Sequence, residues 1–142
     1  MSKKILVALD NSGYANKVML QAIEIAKFYK TPLLGISVIE DAYLGECDES
    51  DSYACATRDY WSASLQAVVD KCKKLADESN IDLFHEVRNG NPAEQILKYA
   101  DEKGADLIVL GHLGKTAAAG FLIGSVAQKV SAHSKCSVLV VK

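Results

Sequence analysis

Long apolar runs are missing from this 142-residue chain. A membrane-spanning helix needs roughly 18 or more consecutive apolar residues, and no stretch approaches that. The opening Met-Ser-Lys-Lys is basic and leads into apolar residues, as a secretory leader does. The run stops at Asp10 after five residues, too short for a leader's hydrophobic segment, so a cytoplasmic location is expected. An excess of positive charge is missing too. Sixteen Lys and Arg face 18 Asp and Glu, a net charge of −2, without the basic face that binds nucleic acid. Metal-ligand spacing is a third absence. Cys47 and Cys55 have seven residues between them, Cys72 and Cys136 are distant from both, and His85, His112 and His133 do not cluster near any of them. That pattern is not a zinc site. The thiols read as structural or incidental, and a Cys47–Cys55 disulfide is disfavoured in a reducing compartment.

What is present is ordinary for a folded domain: 49% apolar and 24% charged residues. The length suits one domain, burying about 70% of the surface its unfolded chain exposes. Residues 4–9 form an apolar β-type run broken by Asp10-Asn11-Ser12-Gly13, where Asn11 or Ser12 can cap the following helix. From 14 to 30, Ala15, Met19, Ala22, Ala26 and Tyr29 recur at helical spacing, and Thr31-Pro32 ends the helix. A strand is expected over 33–39. Residues 40–57 are acidic and irregular, expected to form a solvated excursion or, as long connections in compact domains often do, a lid or binding loop. A second helix over 60–79 would bury Ala63, Ala67, Val68, Cys72, Leu75 and Ala76. A strand over 81–87 follows, with His85 at the surface or half-buried. Asn91 then caps a helix with Pro92 in its first turn, burying Ala93, Ile96, Leu97 and Ala100 until Gly104 stops it. The last strand is expected at 138–141.

The organising stretch is 107–125. Leu107 to Leu110 are apolar without alternation, as in a strand covered on both faces of a parallel sheet. A glycine-punctuated loop and a helix through Val126 and Val130 come next. A strand–loop–helix join of this type leaves backbone N–H groups beside a helix N-terminus, which suits phosphate. Gly114-Lys115-Thr116 imitates the end of a Walker A loop, but that motif requires glycine at 109, where Val stands. Gly-x-Gly-x-x-Gly is absent as well. The spacing that does occur is Gly111, two residues, Gly114, nine residues, Gly124, Ser125.

With that spacing the chain resembles the universal stress protein family, in its ATP-binding branch. The resemblance runs nearly end to end. It takes in the opening strand with Asp10-x-Ser12, the segment Gly90-Asn-Pro92-Ala-Glu-Gln-Ile96, and the closing Ala105-Asp-Leu-Ile-Val-Leu-Gly111 and Gly124-Ser-Val-Ala. One departure is Ser137 before Val138-Leu139, where the family usually has proline. Alternation of strands and helices already indicates an α/β fold, a five-stranded parallel sheet with helices on both faces. The resemblance implies a doubly wound order in which the first and fourth strands flank the ligand crevice. It further implies that Asp10, with Ser12 beside it, meets the ribose or a metal–phosphate group, a possible Mg2+ contact. The Val38 backbone would meet adenine and Gly111 the ribose, while Gly114, Gly124 and Ser125 hold phosphates and Val126 adjoins them. Lys115 supplies a charge that reaches a terminal phosphate or is merely solvated, and His112 is expected at the rim, with stacking or bonding near the phosphates as the alternative.

No general base of kinase type is evident. The leading expectation is therefore an ATP-binding regulatory or stress-response protein. The alternatives are a slow Mg2+-dependent ATPase or nucleotidyl-transfer enzyme, and a nucleotide-free interaction module. The terminal strand, Val138 to Val141, would be an edge, and edges are normally blunted or paired. The resemblance implies a homodimer through that strand, with an unknown protein partner beyond it.

Overall fold

The computed structural model describes residues 3–40, 52–113 and 123–142, without the side chains of 52–59 and 61. Five strands alternate with four helices: β1 (Ile5–Ala8), α1 (Ala15–Tyr29), β2 (Leu33–Ile39), α2 (Ser52–Glu78), β3 (Leu83–Asn89), α3 (Pro92–Lys103), β4 (Leu107–Gly111), α4 (Ser125–His133) and β5 (Ser137–Val141). All strand pairs are parallel, in the order β3-β2-β1-β4-β5. The winding reverses at β1, so the C-terminal ends of β1 and β4 open a crevice between outgoing loops.

Strand periodicity divides the core. Ile5, Val7, Leu9 and Val109 face α1 and α2, where Val18, Met19, Ala22, Cys72 and Ala76 close over them. Leu6, Ile36, Ile108 and Leu110 face α3 and α4, against Ala93, Ile96, Tyr99, Ala127 and Val130. Ile36 and Ile108 are fully buried, so truncating either to alanine would cost roughly 2–5 kcal/mol. β5 lies at one edge, as expected, and β3 at the other.

Several boundaries differ from the sequence reading. α2 starts at Ser52 rather than 60. Residues 52–59 contain neither glycine nor proline, so nothing in the backbone chemistry interrupts the helix there. Its buried stripe is Leu65, Val69, Cys72 and Ala76, while Ala63 and Ala67 are exposed. Larger apolar groups gain more from burial and set the rotation of the helix. β3 runs two residues later, because its ladder with β2 extends from Leu33↔Leu83 to Ile39↔Asn89. Tyr29 is 43% exposed and stacks edge-on against Phe28 instead of joining the core. The cap expected at Asn11 or Ser12 is not formed. Tyr14 occupies the N-cap position of α1 without a side-chain cap bond, and the Asn11 amide reaches Ser64 Oγ on α2 at 3.5 Å.

Among the described residues, the buried Cys72 and the half-buried His85 sit on the α2 side, away from the crevice. Burial pushes the Cys72 thiol up to about 11, which leaves it protonated and unreactive. The His85 ring lies 2.8 Å, Nε2 to Oγ, from Ser37, whose exposure is 1%. Burial, followed by the charge of Lys73, holds its pKa below 6.5. A Cβ on Gly35 would come within 3.0 Å of the His85 ring, so that glycine makes room for the imidazole.

Candidate functional site

The crevice is a cavity of about 310 Å³, at the lower end of the roughly 300–1,000 Å³ range of small-molecule sites. It gathers residues far apart in sequence. Asp10 and Ser12 come from the loop after β1, Val38 and Glu40 from the end of β2, Gly111 and His112 from the end of β4, and Gly124, Ser125 and Val126 from the start of α4. Seven of the nine site residues expected from sequence therefore line one space. Gly114 and Lys115 lie outside the described residues, as does the loop 41–51.

Asp10 is half-buried, and its orientation is fixed locally. Its Oδ1 accepts from the Ser12 N–H at 3.0 Å and from the Ser12 hydroxyl. This closed turn shapes the chain leaving β1. Oδ2 makes no hydrogen bond to a described residue and is available to a sugar hydroxyl or a cation. Ser12 thus holds Asp10 as well as lining the cavity.

The start of α4 lines the same cavity. Gly124 is its N-cap, with φ −59° and ψ 155° and no side-chain cap bond, and the first turn carries no acidic residue. These dihedrals suit any residue, so local backbone strain does not explain glycine here. The Gly124 N–H itself is spent, donating to His112 O at 2.6 Å. The following N–H groups, those of Ser125, Val126 and Ala127, have no intrahelical acceptor. They add to the positive end of the helix dipole, which favours an anion.

Val38 shows how register prepares a main-chain contact. Ile36 O accepts from Leu9 N on the β1 side, whereas Ile39 O accepts from Gly90 N on the β3 side. Backbone groups alternate sides along a strand, so the N–H and C=O of Val38 point toward β1. The β1 ladder has ended at Ala8↔Ile36, leaving that donor–acceptor pair free of described partners at the cavity wall. Ile36, Pro92, Ile96 and Leu110 supply an apolar wall on the α3 side. Sequence reasoning missed this wall and Glu40 beside it. The signal was the shared face of residues 36, 38 and 40.

Gly111 has an ordinary reason and a spare one. An added Cβ would meet Val18 Cγ2 at 3.4 Å and Tyr14 Cβ at 3.7 Å, close to normal contact, so the fold alone does not demand glycine. His112 is more embedded than a rim residue. Its N–H donates to Val141 O at 2.9 Å, its Nδ1 lies 3.2 Å from the same oxygen, and the Tyr14 ring packs on it edge-on at 5.0 Å.

Among the described residues, no helix is long and apolar enough to cross a membrane, and no cluster of three His, Cys, Asp or Glu is poised for a metal. The chain matches a universal stress protein of Methanocaldococcus jannaschii at 34% identity, over 99% of this chain and 82% of that protein. Among solved structures, universal stress protein UspA from Lactobacillus plantarum superposes with a TM-score of 0.85 at 26% identity, covering 99% of this chain and 98% of the other. A universal stress protein solved in complex with cAMP shares the fold at a TM-score of 0.74 and 23% identity, covering 100% and 99%. An Archaeoglobus fulgidus member in complex with dAMP does so at 0.72 and 19%, covering all of both chains. The family model described as the universal stress protein family matches residues 1–142, and the chain belongs to that family.

Proposed function

We propose that the chain binds an adenine nucleotide, with ATP and its Mg2+ as the intended form, and serves as a nucleotide-responsive stress or regulatory protein. The observation that carries this reading is that the uncapped N-terminus of α4 and the Asp10 carboxylate line one cavity. Phosphates would lie at the N–H groups of Ser125 to Ala127, with Gly124 admitting them closely and Gly114 and Lys115 continuing the cradle. Asp10 would take the ribose or Mg2+, and Gly111 would lie under the sugar. The free N–H and C=O of Val38 offer the donor–acceptor pair that matches adenine N1 and its exocyclic amine. Two proteins of the same fold were solved in complex with cAMP and with dAMP, which supports an adenine nucleotide as the class of ligand.

Calorimetric titration with ATP and Mg2+ tests the reading. Binding is expected to weaken about tenfold in Asp10→Ala, as loss of one charge-assisted contact implies, and GTP should compete poorly. No binding of ATP, ADP or AMP by the wild-type chain would overturn it in favour of a nucleotide-free interaction module. The spare oxygen of Asp10 also supports a slow Mg2+-dependent hydrolysis, which multiple turnovers abolished in Asp10→Ala would establish. We further propose a homodimer in which β5, an edge strand, pairs with its copy across a two-fold axis. Light scattering at micromolar concentration should give the dimer, and Val140→Pro should give the monomer.

A further inference from the structure

We propose that His112 is a positioning residue that couples the anion-binding start of α4 to the end of edge strand β5. This rests on the nucleotide reading of the cavity, and it goes beyond it by naming how occupancy reaches the sheet edge.

The argument starts from donors and acceptors. The Val141 carbonyl can only accept, and two nitrogens of one residue converge on it: the His112 N–H at 2.9 Å and Nδ1 at 3.2 Å. Nδ1 must therefore carry the proton, which fixes the neutral ring as the Nδ1–H tautomer. The ring is held from the α1 side by Tyr14, edge-on at 5.0 Å with 75° between planes. The His112 carbonyl in turn accepts from the Gly124 N–H at 2.6 Å, the bond that sets the N-cap of α4. One residue thus ties three elements: the end of β4, which it directly follows, the last residue of β5, and the residue from which α4 starts. Any ligand that pulls on the N–H groups of Ser125 to Ala127 loads the Gly124–His112 bond, and the same residue transmits the load to Val141. Coupling through a shared hydrogen-bonded residue is reciprocal, so fixing the end of β5 also favours the ligand-ready cap.

The test uses the full chain with ATP and Mg2+ as the probe, comparing wild type, His112→Ala and His112→Asn. The asparagine amide keeps a side-chain donor where Nδ1–H stood. Affinity is expected to fall roughly fivefold in His112→Ala, the worth of one ordinary hydrogen bond, and to recover partly in His112→Asn. Amide exchange at residues 139–141 is expected to slow on nucleotide addition in wild type and His112→Asn, and to slow less in His112→Ala, which keeps the backbone bonds to Val141 and Gly124 but loses the Nδ1–H bond. Imidazole ¹⁵N shifts of the wild type should report the Nδ1–H tautomer. Equal affinity in all three chains, with ligand-induced protection of 139–141 undiminished in His112→Ala, overturns the role of the side chain and leaves the nucleotide reading standing. An Nε2–H tautomer overturns the coupling as well. Absence of nucleotide binding in the wild type overturns both.

Discussion

Two helices of this protein begin at the same end of the sheet with opposite chemistry. α3 closes its own N-terminus: Asn91 Oδ1 accepts from the Glu94 N–H at 3.1 Å, Pro92 removes a donor in the first turn, and Glu94 places negative charge there. α4 does none of these things, beginning at a glycine with no cap bond and no acidic first turn. Both helices pack on the same face of the sheet and contribute to the same core. Both N-termini border the cavity, but α3 presents the Pro92 ring there with its cap Asn91 exposed to solvent, whereas α4 lines it with Gly124 and Ser125. A helix that supplies its own cap has no use for an outside anion. One that leaves its first N–H groups bare in a cavity is stabilised when an anion arrives.

The contrast can be broken most forcefully by giving α4 what α3 has. Gly124→Asp would place a capping carboxylate where phosphate is proposed to sit. Nucleotide affinity should fall roughly a hundredfold through competition and repulsion, while stability rises by a few tenths of a kcal/mol. Titration and thermal melting of the same variant check both signs. A smaller effect is expected on the far wall. Gly111→Ala meets only near-normal contacts inside the fold, so its melting temperature should hold while affinity drops about tenfold as the methyl enters the proposed ribose position. If stability fell and affinity did not, Gly111 would be a packing glycine.

The converse experiment opens α3. Asn91→Ala removes its cap and should cost about 1 kcal/mol in denaturant unfolding, with nucleotide affinity unchanged. The smallest effect concerns pH. The folded chain holds His85 below its ordinary value, so the unfolded chain binds that proton first as pH falls. The stability from keeping this ring neutral is complete above about pH 6.5 and is lost as pH drops through the lowered folded value. Denaturant midpoints for wild type should therefore fall from about pH 7.5 to about pH 5 more steeply than for His85→Gln, if His85 carries the dependence.

The contrast between α3 and α4 was half legible in the chain. Asn91-Pro92 and Gly104 bracket α3 because caps are local: a side chain bonds a backbone group three residues away. For α1 the same reasoning failed. Asn11 was drawn to Ser64, 53 residues on, a partnership that no local spacing shows, and Ser12 turned back two residues to Asp10, a local bond that competes with capping. The stripe of α2 was misjudged at Ala63 and Ala67 because alanines fit either a buried or an exposed face, and only the opposing Leu65 and Val69 decide the rotation.

Periodicity and punctuation settled the number and kind of the elements, the parallel α/β class and the glycine spacing, since each depends on residues within a few positions of one another. Tertiary structure alone decided that the end of β1 lies beside the end of β4, that the backbone of Val38 turns its unpaired groups toward the gap where β1 stops, and that His112 joins Val141 to Gly124. Those outcomes rest on which apolar strands become neighbours and in what register. Strands of equal hydrophobicity are interchangeable until the whole sheet is assembled, because hydrogen bonds between strands are made by backbone groups that every sequence shares.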